Sequence, residues 1–299
     1  MAVLNAMTCD LEDYFQVANL EGVVARDQWA SMPSRLAASA DRVLGLFAEA
    51  GIRATFFVLG WNAEREPEIV RRVAAAGHEI ASHGYAHRLI YEQSPDEFRA
   101  DVRRAKALLE DLAGQPVLGY RAPTFSITER SRWAIDILAE EGYRYDSSIF
   151  PIRHDRYGIP GAPRFLHTVA GANGRALAEF PPTTFRLLGC NLPVAGGGYL
   201  RLFPVFLIAA ALRRLCRQGH PVIVYFHPWE LDPEQPRMPV HGLNRFRHYV
   251  HLGRTAAKLR YLLRRLDFTT ARAVVEAWQA SPSKDAPTQP RSGGGAADV

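Results

Sequence analysis

The segment "EIASHGYAH" (residues 79–87) places His83 and His87 four residues apart, directly after a short apolar run. On one helical turn, that spacing brings two imidazoles close enough to share a cation. As an isolated pattern, H-x-x-x-H is weak. A carboxylate from "CDLED" (residues 9–13) would complete a two-histidine, one-carboxylate set with open positions for water. That is the composition of a catalytic zinc or similar divalent site, whereas structural sites are closed and often thiolate-rich. Asp10 directly ends an apolar, strand-like stretch. Glu12 shares its face if the strand continues, and Asp13 reaches the same place if the chain turns after Leu11. A second carboxylate beside a metal suits a general base for water.

Three further apolar runs end in groups of the same kind: "GYRAP", "YDSS" and "YFHPWE". Arg121, in the first, precedes Pro123 by two residues, so the backbone there is extended and restricted. A buried arginine needs an anionic partner, because breaking such a pair costs about 3 to 5 kcal/mol. Asp146 and Asp10 are the candidates. His227 follows the core-like run "VIVYF"; alone it would read as a core histidine bonded to a backbone carbonyl.

The elements that must position these residues alternate in type. β-rich runs ("LNAMTCD", "RATFFVLG", "HEIASHG", "PVLGYRAP", "YRYDSS", "LAEFPPT", "PVIVYFHP", "DFTTAR") alternate with amphipathic stretches at 34–50, 64–76, 94–112, 128–141 and 203–218. Ser94 before Pro95 and Glu97 reads as a helix start, and Gly51, Gly77, Gly114, Gly142 and Gly219 fall where left-handed C-caps belong. The repetition predicts a parallel sheet, and about seven or eight strands favour closure into a barrel over an open doubly wound sheet. In either architecture, chemistry collects at the C-terminal ends of strands, where the polar residues stand. Residues 152–174 read as a long insertion loop, and "SPSKDAPTQPRSGGGAADV" as a disordered tail.

Composition sets the outer limits. The chain has 299 residues, 47% hydrophobic and 22% charged, the make-up of a soluble globular protein with a large core. A formal charge of +5 comes from basic residues scattered through helical stretches, which argues against nucleic acid as a partner. Cys9, Cys190 and Cys216 are odd in number and far apart, consistent with a reduced, cytoplasmic chain. The N-terminus has no signal-peptide pattern, and "LFPVFLIAAAL" (residues 202–212) falls short of the ~20 residues a membrane span needs. A buried helix is expected there, with membrane association as the minor reading.

Together these residues resemble the polysaccharide deacetylase superfamily, the NodB homology domain or carbohydrate esterase family four. The resemblance runs from roughly Leu4 to Phe268, through "TCDLED", "SHGYAH", "YRAPTFS", "YDSS" and "YFHP", in family order. "DLEDYFQV", "YDSSIFPIRHDRYGIP", "GGGYLRLFP" and "HGLNRFRHYVHLGRTAAKLRYLL" resemble more closely the branch associated with exosortase/PEP-CTERM exopolysaccharide loci. The family commonly has T-F-D-D, and Leu11 stands where the second aspartate would be, leaving Glu12 or Asp13 as the metal carboxylate.

The resemblance implies a NodB-type distorted (β/α) barrel over residues 1–275, including a C-terminal extension at about 230–275, followed by a tail at 276–299. It implies a divalent metal, zinc by preference, on His83, His87 and Glu12 or Asp13. Asp10 would be the base, Arg121 its tuning partner with Asp10 or Asp146, and His227 the acid. Backbone N–H groups near Thr124 and Phe125 would stabilise an oxyanion. Tyr85, Tyr91, Phe125, Tyr199, Trp229 and the "GGGYL" loop would line a sugar groove. The implied reaction is N-deacetylation of N-acetylhexosamine units in an exopolysaccharide or its precursor. The alternatives are an allantoinase-like amide or imide hydrolase and a non-catalytic glycan-binding protein. Cytoplasmic action is expected, with a peripheral position at the inner membrane as the variant.

Overall fold

The computed structural model describes residues 3–281. Its strands are β1 (Asn5–Leu11), β2 (Thr55–Val58), β3 (Glu79–Ser82), β4 (Gly119–Tyr120), β5 (Tyr145–Asp146), β6 (His167–Ala170), β7 (Ala176–Glu179), β8 (Thr184–Leu187), β9 (Cys190–Pro193), β10 (Ile223–Phe226) and β11 (Phe268–Thr269). Its helices are α1 (Leu36–Ala50), α2 (Gly60–Arg65), α3 (Pro67–Ala75), α4 (Pro95–Ala113), α5 (Ala134–Glu140), α6 (Gly197–Leu202), α7 (Val205–Arg217), α8 (Gly242–Tyr249), α9 (Thr255–Leu263) and α10 (Ala271–Ala280). Nine strands form one sheet in the order β10-β1-β2-β3-β4-β5-β7-β6, with β11 also pairing β1. All pairs are parallel except β6 with β7. The sheet curls into a half-barrel, the expected distorted (β/α) barrel of mostly parallel strands.

Period-two alternation along β1 explains how the barrel presents its chemistry. Met7, Cys9 and Leu11 face outward into the main core, against Phe47 of α1, Val70 of α3, Val102 of α4, Leu212 of α7 and Leu259 of α9. Ala6 faces inward with Phe57, Ala81, Tyr145 and Ile223, where Ala271 and Val274 of α10 close one end. Thr8 and Asp10 share that inward face and are buried. The register Cys9↔Phe226 and Leu11↔Val58 sets the C-terminal ends of β10, β1 and β2 side by side.

Several local features follow from the sequence. Ser94 and Glu97 form a reciprocal capping box at the start of α4, and Gly114 ends it in the left-handed conformation. The helix expected at 64–76 breaks at Glu66, because Pro67 lacks an N–H and begins a new helix instead. Residues 152–174 are not wholly loop: β6 lies there, pairing antiparallel with β7, with only alternate residues half-buried. Helix α10 continues to Ala280, past the expected tail boundary at 276, because Val274 and Val275 anchor it against the barrel floor. The rest of that tail lies outside the described residues. Among the described residues, no helix is long and apolar enough to cross a membrane.

Candidate active site

The inward face of β1 delivers Thr8 and Asp10, and a tight turn carries the chain on to Glu12, whose N–H donates to the Asp10 carbonyl at 2.9 Å. Glu12 Oε1 lies 2.8 Å from His83 Nε2 and 3.2 Å from His87 Nε2. All three residues are buried, and their ligand atoms lie within 4.8 Å of one another. The histidines do not share a helical turn. They stand in an irregular loop after β3, where Gly84 and His87 both have left-handed backbone (φ 73° and 51°) and fold the chain back on itself. His83 Nδ1 bonds the Arg121 carbonyl at 2.7 Å, which fixes the ring with its Nε2 toward Glu12.

A divalent cation fits this donor set. Two imidazole nitrogens and a carboxylate oxygen converge from β1 and β3, and the outer nitrogen of His83 is anchored as in metal sites. Burial opposes ionisation of Glu12, but His87 and His227 and the bonds from both ligand histidines outweigh it and hold the carboxyl well below its usual range. Asp13 is not part of the set. Its carboxylate turns away to accept the N–H groups of Tyr14 (2.8 Å) and Arg35 (2.9 Å). Burial raises it to about 6 against those bonds. It acts as the anchor of the β1–α1 connection, because the chain turns after Leu11 and sends consecutive side chains in different directions.

Asp10 sits beside the triad. Its Oδ1 accepts from Arg121 Nη1 at 2.5 Å, and its Oδ2 lies 4.0 Å from His227 Nε2. Arg121 is fully buried; Nη1 also donates to Thr8 Oγ1 (2.9 Å), Nη2 to Ser147 Oγ (3.0 Å), and the guanidinium stands 4.1 Å over the Phe57 ring. Of its two expected partners, therefore, Asp10 is the one it pairs. Asp146 accepts from Ser148 Oγ at 2.5 Å, and that hydroxyl accepts the Ala122 N–H at 2.7 Å. Asp146 thus supports the backbone beside Arg121 through Ser148; its inner neighbour is Glu179. Burial raises both carboxyls, and their mutual proximity raises Glu179 further.

His227 ends β10 and is tied from behind. Its Nδ1 bonds Glu230 Oε1 at 2.8 Å, Glu230 Oε2 accepts from Arg201 Nε at 2.6 Å, and Arg201 donates to the carbonyls of Arg247, His248 and Val250. Burial lowers the affinity of His227 for a proton, but Glu12, Glu230 and Asp10 together raise its pKa to about 9. This chain of charges escaped sequence reading. Glu230 stands three residues after His227, the spacing of the capping box it forms, and that signal was available. Arg201 lies in the apolar run "GGGYLRLFP" and gave none.

These groups open into one cavity of about 330 Å³, lined among others by Ala122, Thr124, Phe125, Tyr157, Tyr199, Tyr225, Trp229 and Phe246. Trp229 is stacked between His227 and His248 (ring centroids 5.3 and 4.5 Å), and its indole N–H has no hydrogen-bond partner among the described residues. Thr124 and Phe125 hold positive φ (53° and 52°), a costly conformation for residues with side chains and one that clusters at functional sites. The Phe125 N–H is taken by the Ala122 carbonyl, so of the two expected oxyanion donors only the Thr124 N–H stays in consideration. Gly196 makes the opposite wall possible: a Cβ there would stand 2.1 Å from the Tyr225 ring. Tyr85 and Tyr91 are absent from the lining. Tyr85 bonds Glu64 and Arg104 on the outer surface, and Tyr91 stands beneath Arg130.

Residues 30–145 match the family described as polysaccharide deacetylase. Residues 147–276 match a second family, a domain of unknown function, DUF3473. The deacetylase match includes His83, His87 and Arg121, whereas Asp10 and Glu12 precede it and His227, Glu230 and Arg201 fall in the second match. Among curated relatives, the peptidoglycan-N-acetylglucosamine deacetylase of Bacillus cereus is 28% identical over 144 residues, 44% of this chain and 52% of that protein. The chitooligosaccharide deacetylase of a Bradyrhizobium strain is 26% identical over 131 residues, 44% of this chain and 58% of that one. The chain thus spans about half the length of these relatives. A protein of Mycobacterium smegmatis assigned as a polysaccharide deacetylase has the same fold, with a TM-score of 0.61 at 20% identity over 97% of this chain and 94% of its own. So has Puue allantoinase, with a TM-score of 0.59 at 17% identity over 93% and 91%.

Proposed function

We propose that the protein is a metal-dependent hydrolase that removes acetyl groups from N-acetylhexosamine units of an exopolysaccharide or its precursor. The observation that carries this reading is the joint geometry. A three-ligand metal set stands beside a carboxylate–histidine pair whose facing atoms are 4.0 Å apart, all opening into one cleft. Relatives that act on N-acetylated glycans support the reaction class. The resemblance of the sequence to the exosortase-associated branch supports an exopolysaccharide.

In this reading Glu12, His83 and His87 hold the metal, zinc by the nature of its ligands. When bound, it supplies Lewis acidity toward the acetamide carbonyl and makes a nearby water more acidic. Asp10, paired with Arg121, takes a proton from the attacking water. The Thr124 N–H faces the oxygen that gains charge as the carbonyl carbon becomes tetrahedral. His227, its Nδ1 proton directed to Glu230, gives a proton from Nε2 to the departing nitrogen. Acetate and a free sugar amine result. Asp146 and Ser148 fix the backbone on which Arg121 rides. Because Asp10, Glu12 and His227 come from opposite ends of the chain, we take residues 1–275 as one catalytic unit acting in the cytoplasm.

Metal analysis of purified protein, paired with acetate release from N-acetylated oligosaccharides, tests the reading. Stoichiometric divalent metal that is lost in His83→Ala, together with acetate release abolished in Asp10→Asn at unchanged metal content, is the expected result. Metal-free wild-type protein refutes the mechanism. Because the allantoinase scaffold is so similar, a cyclic imide assayed in parallel separates the alternatives. Turnover of imide alone would replace the glycan reading.

A further inference from the structure

Charge is distributed unevenly along the chain. Residues 180–266 contain thirteen Lys and Arg but only three acidic residues, Glu230, Asp232 and Glu234. Glu230 and Asp232 are fully buried, so Glu234 is the exposed acid of the whole stretch. The same stretch contains most of the large apolar side chains that face solvent: Leu202 (43% exposed), Phe206 (59%), Leu207 (55%), Leu243 (58%) and Phe246 (51%).

These side chains are gathered at the cleft. Leu202 of α6 and Leu243 and Phe246 of α8 all line it. Arg201, bonded to the carbonyls of Arg247 and His248, locks the end of α8 against α6. Phe206 and Leu207 open α7 only four and five residues beyond Leu202, across Pro204. Along α7 the exposed face then continues through Ala210 to Arg213, Arg214 and Arg217. Helix α8 adds Arg245 and Arg247, both exposed. Among the described residues, no acidic side chain forms an ion pair with Arg213, Arg245 or Arg247. Apolar tips beside unpaired guanidinium groups are the composition that seats an amphipathic face at an anionic bilayer. The tips enter the acyl boundary and the cations meet headgroup phosphates. A partner protein of ordinary surface would not require the near-complete loss of acidic residues.

We infer that the α6–α8 rim is a docking surface for an anionic lipid bilayer, with the mouth of the cleft turned toward the headgroups. Binding rests on this rim alone. The further consequence, that the glycan acted on is one presented at the membrane surface, rests on the proposed deacetylase reading.

The test is co-sedimentation of the full chain with sucrose-loaded vesicles of phosphatidylcholine, with and without phosphatidylglycerol, at low and high salt. The expected result is binding to the anionic vesicles at low salt, weakened by added salt. Each surface arginine near the headgroups is worth about fivefold in affinity. Arg213→Glu with Arg245→Glu therefore lowers binding at least about tenfold, and Phe206→Ser with Leu207→Ser abolishes it. None of these four residues lines the cleft, so acetate release from a soluble oligosaccharide stays at the wild-type rate, and unchanged melting temperatures show that folding is intact. No binding to anionic vesicles overturns the proposal, as does binding insensitive to both pairs of changes. An active enzyme that ignores vesicles refutes docking alone. A protein that binds vesicles but releases no acetate refutes the reaction alone.

Discussion

Glu230→Gln tests the support behind His227. The Glu230 carboxylate is fully buried and accepts from three donors, the Nδ1 and backbone N–H of His227 and the Nε of Arg201. A glutamine has one acceptor oxygen for two directions. If that oxygen serves His227, its NH₂ is driven against the Arg201 guanidinium, and the buried Arg201 charge loses its counterion. Removing one partner of such a pair costs about 3 to 5 kcal/mol. At roughly 2 to 4 °C per kcal/mol for a domain of this size, the melting temperature falls by about 6 to 20 °C. The burial of Glu230 is opposed by Arg201 and His227, which together hold its carboxyl below the usual range, so the charge is present at neutral pH. In either orientation of the amide His227 loses the negative charge that favours its proton-donating form, and turnover falls about 10² to 10⁴-fold. Thermal melts and acetate-release rates of Glu230→Gln, Arg201→Met and the double variant form the assay. The double variant should be more stable than the sum of the single losses predicts, since neither leaves an unpaired charge, while its turnover stays low. A single variant that loses less than about 1 kcal/mol, the worth of an exposed pair, would refute the buried-relay argument.

Three other outcomes follow. Glu12→Ala abolishes metal retention, whereas Asp13→Ala keeps it and instead lowers the melting temperature, since Asp13 holds the N–H groups of Tyr14 and Arg35; elemental analysis and melts separate the two. Tyr85→Phe leaves the KM for glycan within about twofold, because Tyr85 faces Glu64 and Arg104 outside the cleft. Burial, with a cationic neighbour, lowers His78 to about 4 and His248 to about 3, from 6.5. Their folded values lie below the unfolded one, so stability falls as pH drops below 6.5. Each contributes up to about 1.4 kcal/mol per pH unit until its folded value is reached. Denaturant titrations from pH 7 to 5 should therefore show a shallower fall for His78→Gln than for wild type, and an equal fall would contradict the assignment.

The parallel core was legible because β1, β2, β3 and β10 are buried along their whole length and read as continuous apolar runs. β8 and β9 were not, because they form a separate, largely exposed two-stranded ribbon without a buried face. Helix α6 is six residues long and begins with two glycines, too short for any periodicity to register. At the site, strand-end polarity found Asp10, His83, Arg121 and His227, whose backbones emerge directly from core strands. The choice between Glu12 and Asp13 depended on a turn after Leu11, and turn geometry is not written in residue type alone. Arg201 was hidden for a different reason: its charge is neutralised by residues 29 and 46 to 49 positions away, and no local pattern can report that.

β1 precedes the other strands of its sheet in the chain, yet it lies in the interior of that sheet, with β10 and β11 on one side and β2 on the other. Ala6 pairs in register with Ile223, and Asn5 with Phe268. During synthesis, β1 can join β2 and β3 as soon as residue 82 is available, but its other edge stays open until residues 223–226 follow. Glu12, His83 and His87 are thus delivered to one place about 140 residues before His227 emerges. On the proposed reading the metal ligands are in place while the acid is still unmade, and the site is complete only when β10 zips onto β1.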